Sequence, residues 1–465
     1  MIKKSLLIAC IALILFCPHD MNRAGAARFG LQNIKLPQVT TITLENGIRL
    51  FYIKDELPQI TLVALAGFGK LYEDKSNAGI SRLIAKTISL GGSKKYPATT
   101  LHDLIDSMGG KLSIESSWEH TIISIKVLER FKNEAFAILS DLIQNPNFDL
   151  QYFNTAKALL SDSIRRKYEN PTEIAFEKVR EIIFDGEGYG SHPTPESINS
   201  LSLDQVLKTW RVYYCGNNIM IGLYTSLGDS EIKRLSTASF SSIAAGSRIY
   251  YAVDKEKIAQ TIRNANGTIF FYPRKIPQST IIVGTVAPDI GYAGTYSLEI
   301  MNYVLGGGSF NSRLVLDIRV NRGLAYAVQS VIKCRYKTGV FLAYAQTDNK
   351  TAGEVLSILS KNIDRLSREN MRPAEVDWAK MAISNSYIFQ FDTPFNILSN
   401  YMEIAYNRLP ADYYTAYLDR IQSVQESDIM REAKNLLQYG TVTVVVGGEP
   451  AAKDLTKHGK LVVIK

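Results

Sequence analysis

Apolar and β-branched residues are grouped into short runs near the start of the chain, and this pattern predicts β-strands. The runs are separated by polar or glycine-containing turns, and they are Thr41–Thr43, Ile48–Ile53 and Ile60–Gly67. A helical period of apolar residues follows and is clearest over Asp149–Tyr168. The apolar run Ile219–Tyr224, with a glycine soon after it, then predicts a closing strand.

The same order of features occurs a second time. Residues 57–61, LPQIT, are echoed by residues 276–280, IPQST, and the Leu-Gly-Gly at 90–92 is echoed at 305–307, a similar distance downstream. Another closing strand is predicted at Thr441–Val446. The repeat indicates a duplication. We therefore predict an α+β fold of two similar halves, each with helices packed on mainly antiparallel sheets.

The length of 465 residues is too great for one hydrophobic core. Residues 247–266 are charged and polar without a sustained apolar period, so we predict that they link the two halves. The N-terminal half then covers 37–246, and the C-terminal half covers 267–448. Residues 449–465 are predicted to form a C-terminal tail.

The first 26 residues have the pattern of an export signal. Lys3 and Lys4 precede the apolar run Leu6–Cys17, and Ala24-Gly25-Ala26 offers the small residues that a signal peptidase needs. The apolar run is too short to span a bilayer. We therefore expect a signal peptide at 1–26, no transmembrane anchor after cleavage, and a bacterial periplasmic location.

Composition and cysteine content exclude few functions. The chain is 46% hydrophobic and carries a formal charge of +8, but its basic residues form no stripe interleaved with aromatics, so we expect no nucleic-acid partner. Two of the four cysteines lie in the signal segment. Cys215 and Cys334 fall in different halves, and we predict two separate thiols rather than a disulfide.

The strongest candidate for chemistry is residues 305–328, LGGGSFNSRLVLDIRVNRGLAYAV. The pattern predicts a glycine turn, a helix over 312–320, a tight turn at Gly323 and a strand over 324–332. Arg319 then lies near the helix end and Tyr326 at the strand start. Both donate hydrogen bonds, as an extended ligand would require. On spacing alone, they also fit a solvated cation and a half-buried strand residue.

This stretch resembles the R/Y motif of the pitrilysin and insulinase family of zinc metallopeptidases, which includes the mitochondrial processing peptidase. Ser312-Arg313-Leu314, Arg319 and Arg322-Gly323-Leu324-Ala325-Tyr326 all match the motif. The resemblance covers about Pro37 to Gly448 and implies two halves that face each other around a chamber. It also implies that Arg319 and Tyr326 bind the substrate backbone and stabilise the transition state. Phe310 and Asn311 are interpreted as packing residues of the turn.

The zinc motif of active family members has no counterpart in this sequence. Their His-x-x-Glu-His helix aligns with Gly79–Gly92, GISRLIAKTISLGG, which puts Arg82 and Lys86 at the two histidines and Ala85 at the catalytic glutamate. Ser163 stands at the third ligand position. Two cations repel a divalent metal, and a methyl group cannot take a proton from water. We predict that this chain binds no metal cofactor.

The pattern resembles the non-catalytic subunit of two-chain family members. We therefore hypothesise a heterodimer with a zinc-bearing paralogue, in which Arg319 and Tyr326 contribute to the site where peptide substrates are cleaved. Zinc is expected in the partner, and no independent activity is expected of this chain. The alternative is a peptide-binding or scaffold protein of the bacterial envelope with no role in hydrolysis. A zinc-bearing gene next to this one would favour the heterodimer.

Overall fold

The computed structural model describes residues 37–308 and 310–464. The predicted signal peptide lies outside the described residues. In the described part of the chain, no helix combines the length and the apolar content needed to cross a bilayer.

The first half is built on a six-stranded sheet. Its strands are β1 (Thr40–Thr43), β2 (Arg49–Lys54), β3 (Gln59–Ala66), β4 (Lys111–Ser116), β5 (Thr121–Leu128) and β6 (Ile219–Thr225). Their order in the sheet is β1-β2-β6-β3-β5-β4, and all neighbours are antiparallel except β2 and β6. The strands predicted at the start of this half and at its close therefore form, with shifts of one residue at their ends.

Within the described residues, the first half of the chain contains eight α-helices. They are α1 (Ile80–Gly91), α2 (Ala98–Ser107), α3 (Lys132–Gln144), α4 (Leu150–Lys167), α5 (Pro171–Ile183), α6 (Pro195–Ser200), α7 (Leu203–Tyr213) and α8 (Asp229–Phe240). The helix predicted over 149–168 is α4, which begins after its cap: the Asp149 side chain accepts a hydrogen bond from the Gln151 backbone N–H. Leu62, Ile84 and Leu139 are among the fully buried residues of the core between sheet and helices.

The second half repeats this plan. It contains α9 (Lys255–Ala265), β7 (Thr268–Pro273), β8 (Gln278–Ala287), α10 (Thr295–Asn302), β9 (Ala325–Lys333), β10 (Gly339–Asp348), α11 (Ala352–Arg368), α12 (Pro373–Ser386), α13 (Pro394–Asn407), α14 (Tyr417–Ser423), α15 (Glu426–Leu437), β11 (Val442–Gly447), α16 (Glu449–Leu455) and β12 (Lys460–Val463). Two π-helical segments, Tyr303–Gly307 and Val315–Val320, lie between α10 and β9. The sheet order is β12-β7-β11-β8-β10-β9.

The two sheets share one topology, which confirms the predicted duplicated α+β fold. Strands β2, β3, β4, β5 and β6 occupy the positions that β7, β8, β9, β10 and β11 occupy in the second sheet. In both halves the closing strand runs parallel to the first of these five and antiparallel to the second. Only the outermost strands β1 and β12 differ in origin and direction.

The halves are interlocked by an exchange of helices. Helix α5 of the first half packs on β8 and β11 of the second sheet, where Ile174 and Val179 share a core with Val444. Helix α13 of the second half packs on β2 and β6 of the first sheet, where Met402 and Tyr406 are buried. Each sheet therefore carries helices of both halves. The central strands β3 and β8 are buried along nearly their whole length and show no alternation.

The predicted linker and tail both belong to regular structure. The linker segment contains α9, in which Ile258, Ala259 and Ile262 are buried. The apolar residues of α9 recur at helical spacing, but the other positions are polar, and the prediction of a linker overlooked this short period. In the tail, α16 packs against α11, and β12 pairs in parallel with β7 as an edge strand. The boundary predicted at 448 therefore cuts through the second sheet.

Candidate functional site

The R/Y motif folds as a wide helical turn followed by a strand. The predicted helix over 312–320 is π-helical from Val315 onwards, and such segments are frequent at functional sites. It ends at a turn in which Gly323 adopts φ +63°, a conformation that favours glycine. The backbone N–H of Leu324 donates to the carbonyl of Ile318 at 2.9 Å and closes the turn. Strand β9 then begins at Ala325, one residue later than predicted.

The side chains of Arg319 and Tyr326 are in contact. The Arg319 Cζ lies 4.7 Å from the centroid of the Tyr326 ring and 5.0 Å from that of Phe310. Both distances are within the range of cation–π attraction. The guanidinium is thus held between two aromatic rings, of which Tyr326 is 83% and Phe310 59% exposed.

This contact corrects the interpretation of Phe310 as a packing residue of the turn. Its ring forms one wall of the guanidinium site. The sequence gave no indication of this contact, because Phe310 precedes Arg319 by nine positions. Within residues 37–308 and 310–464, neither the guanidinium nor the Tyr326 hydroxyl forms a hydrogen bond or ion pair. Their donors are therefore directed to solvent and are available to a ligand.

A β-bulge sets the position of Tyr326. The pairing of β9 with β10 passes from Val328 opposite Ala345 to Ala325 opposite Thr347, so Tyr326 and Ala327 together face Gln346. Bulges of this kind bend a strand and redirect its side chains, and they are common beside active sites. The Gln346 side chain donates a hydrogen bond to the Thr172 hydroxyl of α5. The bulge is therefore tied to the helix that the first half contributes.

The motif helix is also anchored to α12. Arg313 donates to Glu375 from Nε at 2.9 Å and from Nη2 at 2.8 Å, and both side chains are nearly buried. Although burial of the carboxyl acts in the opposite direction, the hydrogen bonds from Arg313 and Arg372 lower the pKa of Glu375 to about 2. A bidentate pair of this kind fixes orientation as well as distance.

The positions of the lost zinc site lie on α1 and α4, which pack together. Arg82 and Ser163 are exposed, Lys86 is half-buried, and Ala85 is buried. Glu73 is a buried carboxylate near this point, but it accepts hydrogen bonds from the backbone N–H groups of Gly79 and Ser81 at the start of α1. In the described ranges no group of three or more His, Cys, Asp or Glu side chains could hold a metal ion. These residues do not fit zinc.

Basic and acidic side chains both lie near the start of α1. Lys70 is buried with its Nζ 4.6 Å from the centroid of the Trp118 ring, and the Arg180 Cζ lies 5.2 Å from the same centroid. Burial, together with the charge of Arg180, lowers the pKa of Lys70 to about 7. Arg82 acts on Lys70 in the same direction, and the carboxylates of Glu177 and Glu73 act against it.

The two thiols are far less reactive than a catalytic cysteine. Cys215 and Cys334 are both free. Burial raises the pKa of Cys334 to about 12 and also raises the pKa of Cys215. Since the thiolate is the nucleophile, neither group is activated.

The duplicated fold and the exposed Arg–Tyr pair define a peptidase-like protein, and over residues 37–308 and 310–464 no group of three or more His, Cys, Asp or Glu side chains could hold a metal ion. Comparisons with known families agree: residues 53–194 match the model of insulinase, peptidase family M16, and residues 200–383 match the model of the peptidase M16 inactive domain. The chain belongs to the M16 peptidase family, as the R/Y motif predicted.

Relatives cover nearly the whole chain and bear different descriptions. An uncharacterised zinc protease of Rickettsia bellii is 24% identical over 87% of this chain and 96% of its own length. The non-peptidase homolog YmxG of Helicobacter pylori is 24% identical over 79% and 83%. The mitochondrial-processing peptidase subunit beta of Dictyostelium discoideum is 21% identical over 86% and 87%.

A solved structure supports the fold. The peptidase M16 inactive domain from Pseudomonas fluorescens superposes with a TM-score of 0.78 at 17% identity, and the match covers 88% of this chain and 98% of that one. The descriptions of the relatives differ. In this chain Arg82, Ala85, Lys86 and Ser163 stand at the positions that the resemblance assigns to the zinc site, and residues 200–383 match the inactive-domain model.

Proposed function

We propose that this chain is the non-catalytic subunit of a heterodimeric zinc metallopeptidase. Its partner is a zinc-bearing paralogue, and this chain contributes Arg319 and Tyr326 to peptide binding and transition-state stabilisation. The observation that carries the proposal is the guanidinium held between Phe310 and Tyr326 with all its donors uncommitted. The description of one relative as a non-peptidase homolog and of another as a peptidase subunit supports it.

The geometry suits stabilisation of a developing oxyanion. When water attacks a peptide carbonyl, negative charge grows on its oxygen, and fixed donors that point at that oxygen lower the barrier. The guanidinium offers several N–H donors in a planar fork, and the Tyr326 hydroxyl adds one more donor. Because two rings and a β-bulge hold the pair, little reorganisation is needed when substrate arrives.

The zinc and the water that it activates belong to the partner in this proposal. The first half of this chain supplies neither ligands nor a base at Arg82, Ala85, Lys86 and Ser163. The division places metal and nucleophile on one wall of the site and the oxyanion donors on the facing wall. We place the complex in the bacterial periplasm, on the strength of the export signal in residues 1–26.

The test is peptide hydrolysis by this chain alone, by its candidate zinc-bearing partner alone, and by the two mixed. Arg319→Ala and Tyr326→Phe chains are assayed in parallel, with Arg368→Ala on the exposed face of α11 as the matched control. We expect only the mixture to be active. Hydrolysis by this chain alone that a chelator abolishes would disprove the proposal. A mixture that neither associates nor gains activity would leave the envelope scaffold as the function.

A further inference from the structure

The indole ring of Trp118, in the turn between β4 and β5, is contacted by three basic side chains of the described residues. The Lys70 Nζ lies 4.6 Å from the ring centroid, the Arg335 Cζ 4.7 Å and the Arg180 Cζ 5.2 Å, all within the range of cation–π attraction. Lys70 belongs to the 3₁₀ turn after β3, Arg180 to α5, and Arg335 to the turn between β9 and β10. The ring therefore gathers cations from both halves of the chain.

Arg335 has an acidic partner, but Lys70 and Arg180 have none. The Nη1 of Arg335 donates to a carboxylate oxygen of Glu119 at 3.2 Å. Within the described part of the chain, Lys70 and Arg180 form neither a side-chain hydrogen bond nor an ion pair, although Lys70 is only 7% exposed. A buried cation without a hydrogen-bond acceptor costs free energy, so two such cations at one ring indicate an acceptor that comes from outside the chain.

The carboxylates in this region are committed to other groups. Glu177 accepts a hydrogen bond from Lys167, and Glu73 accepts from two backbone N–H groups at the start of α1. Both carboxylates attract Lys70, yet neither accepts a hydrogen bond from its ammonium group. Burial outweighs this attraction and, with the charge of Arg180, lowers the pKa of Lys70 to about 7. The chain itself therefore stabilises this ammonium group poorly.

Several donors of this pair are open to solvent. The Nε of Arg180 is shielded from solvent and has no partner in the described residues. The Lys70 Nζ and the two Nη atoms of Arg180 also lack partners there, but they are not shielded. Arg82, whose charge acts on both side chains, is exposed on the first turn of α1. A ligand that comes from solvent can therefore reach donors of both Lys70 and Arg180.

We propose that Lys70, Arg82 and Arg180 bind a phosphate group beside Trp118. A tetrahedral dianion accepts hydrogen bonds from several directions, as cations on three different elements require, whereas a carboxylate accepts mainly in one plane. The resemblance to active peptidases assigns the position of Arg82 to a zinc histidine, so an anion site would adjoin a lost metal site. The inference is independent of the proposed function, because it concerns residues of the first half and needs no partner.

The binding test is isothermal titration calorimetry of inorganic phosphate into this chain alone, at constant ionic strength. We expect saturable binding at one site, and at least about tenfold weaker binding to the Lys70→Met and Arg180→Met chains. Lys233→Met, at an exposed position of α8, is the control and should bind like the unaltered chain. Absence of binding to the unaltered chain, or binding that neither Lys70→Met nor Arg180→Met weakens, would overturn the proposal.

Thermal unfolding separates loss of the site from loss of the fold. Lys70→Met replaces a buried cation without an acceptor by an apolar side chain, so in phosphate-free buffer it should melt at or above the temperature of the unaltered chain. Phosphate should raise the melting temperature of the unaltered chain and leave that of Lys70→Met unchanged. A Lys70→Met chain that phosphate stabilises as much as the unaltered chain would overturn the role of Lys70.

Two further anions define the chemistry of the ligand. Acetate should bind at least about tenfold more weakly than phosphate, and equal binding would overturn the assignment to a phosphate group. Phenyl phosphate carries the same group on a larger body. If it competes with inorganic phosphate, the site accepts phosphate monoesters; if it does not, the site is specific for the free ion. Binding of inorganic phosphate supports the proposal in either case.

Discussion

The guanidinium of Arg313 and the carboxylate of Glu375 form a bidentate pair, with distances of 2.9 Å and 2.8 Å, between the motif helix and the first turn of α12. The two side chains are only 11% and 13% exposed. The Nη1 of Arg313 has no hydrogen-bond partner in the described residues, so the guanidinium depends on Glu375. Loss of Glu375 would leave the guanidinium unpaired, and loss of Arg313 would leave the Glu375 carboxylate with only its exposed partner Arg372.

We therefore expect Arg313→Ala to lower the free energy of unfolding by about 3 kcal/mol. Arg372→Ala is the matched control, because Arg372 also binds Glu375 but its side chain is 77% exposed. That change should cost about 1 kcal/mol or less. Urea unfolding measures both. Equal losses in the two variants would show that the buried Arg313–Glu375 pair stabilises the chain no more than the exposed Arg372–Glu375 pair does.

The same pair predicts a loss of stability in acid. The pKa of Glu375 is lowered from 4.5 to about 2 in the folded chain, so its contribution is fully present above about 4.5 and is lost as the pH falls towards about 2. Glu375→Gln cannot titrate and should lack this component. Urea unfolding at a series of pH values compares the two chains. The prediction fails if the difference between them does not change across this window.

Phe310 should matter for turnover although it donates no hydrogen bond. Its ring is one of two walls around the Arg319 guanidinium, so Phe310→Ala should lower kcat of the active complex about threefold to tenfold. Phe310→Tyr keeps the ring and should retain activity. Val320→Ala, at a neighbouring site that is 55% exposed, is the control. An unchanged kcat in Phe310→Ala would mean that the ring does not hold the guanidinium in the complex.

The exchanged helix α13 should be essential to both halves. Met402 is 1% exposed against the first sheet, so Met402→Ala should lower the free energy of unfolding by about 2 to 5 kcal/mol. Met381→Ala, at a site that is 55% exposed, should change it by no more than about 0.5 kcal/mol. The chain has three tryptophans, so variants that keep only Trp210 or only Trp378 report on the first half and on the second half. Separate unfolding transitions for the two tryptophans would contradict the interlocked fold.

Removal of metal should leave this chain unchanged. Because Arg82, Ala85, Lys86 and Ser163 cannot hold zinc, dialysis against a chelator should not shift its melting temperature. The zinc-bearing partner, treated in parallel, should lose stability. A lower melting temperature of this chain after chelation, restored by zinc, would reveal a metal site.

Local pattern was sufficient for the strands, but long-range contacts were not predictable. The strands at 40–66 and 219–225 are short apolar runs. Arg319 and Tyr326 were singled out by the resemblance to a specific motif, and their contact with each other was not predicted. Helix α5 has a clear apolar face, yet no local pattern says which sheet that face covers. Strand β12 is too short to be distinguished from a tail. Phe310 and Gln346 act on the site through tertiary contacts that sequence spacing does not indicate.

The exchange of α5 and α13 has a consequence for synthesis. A ribosome completes β6 of the first sheet at Thr225, well before it reaches α13 at Pro394–Asn407. Until then, the apolar face that α13 covers stays bare, so the nascent first half cannot finish folding on its own. The interlock that joins the two halves of the finished molecule would thus also delay the folding of the first half during synthesis.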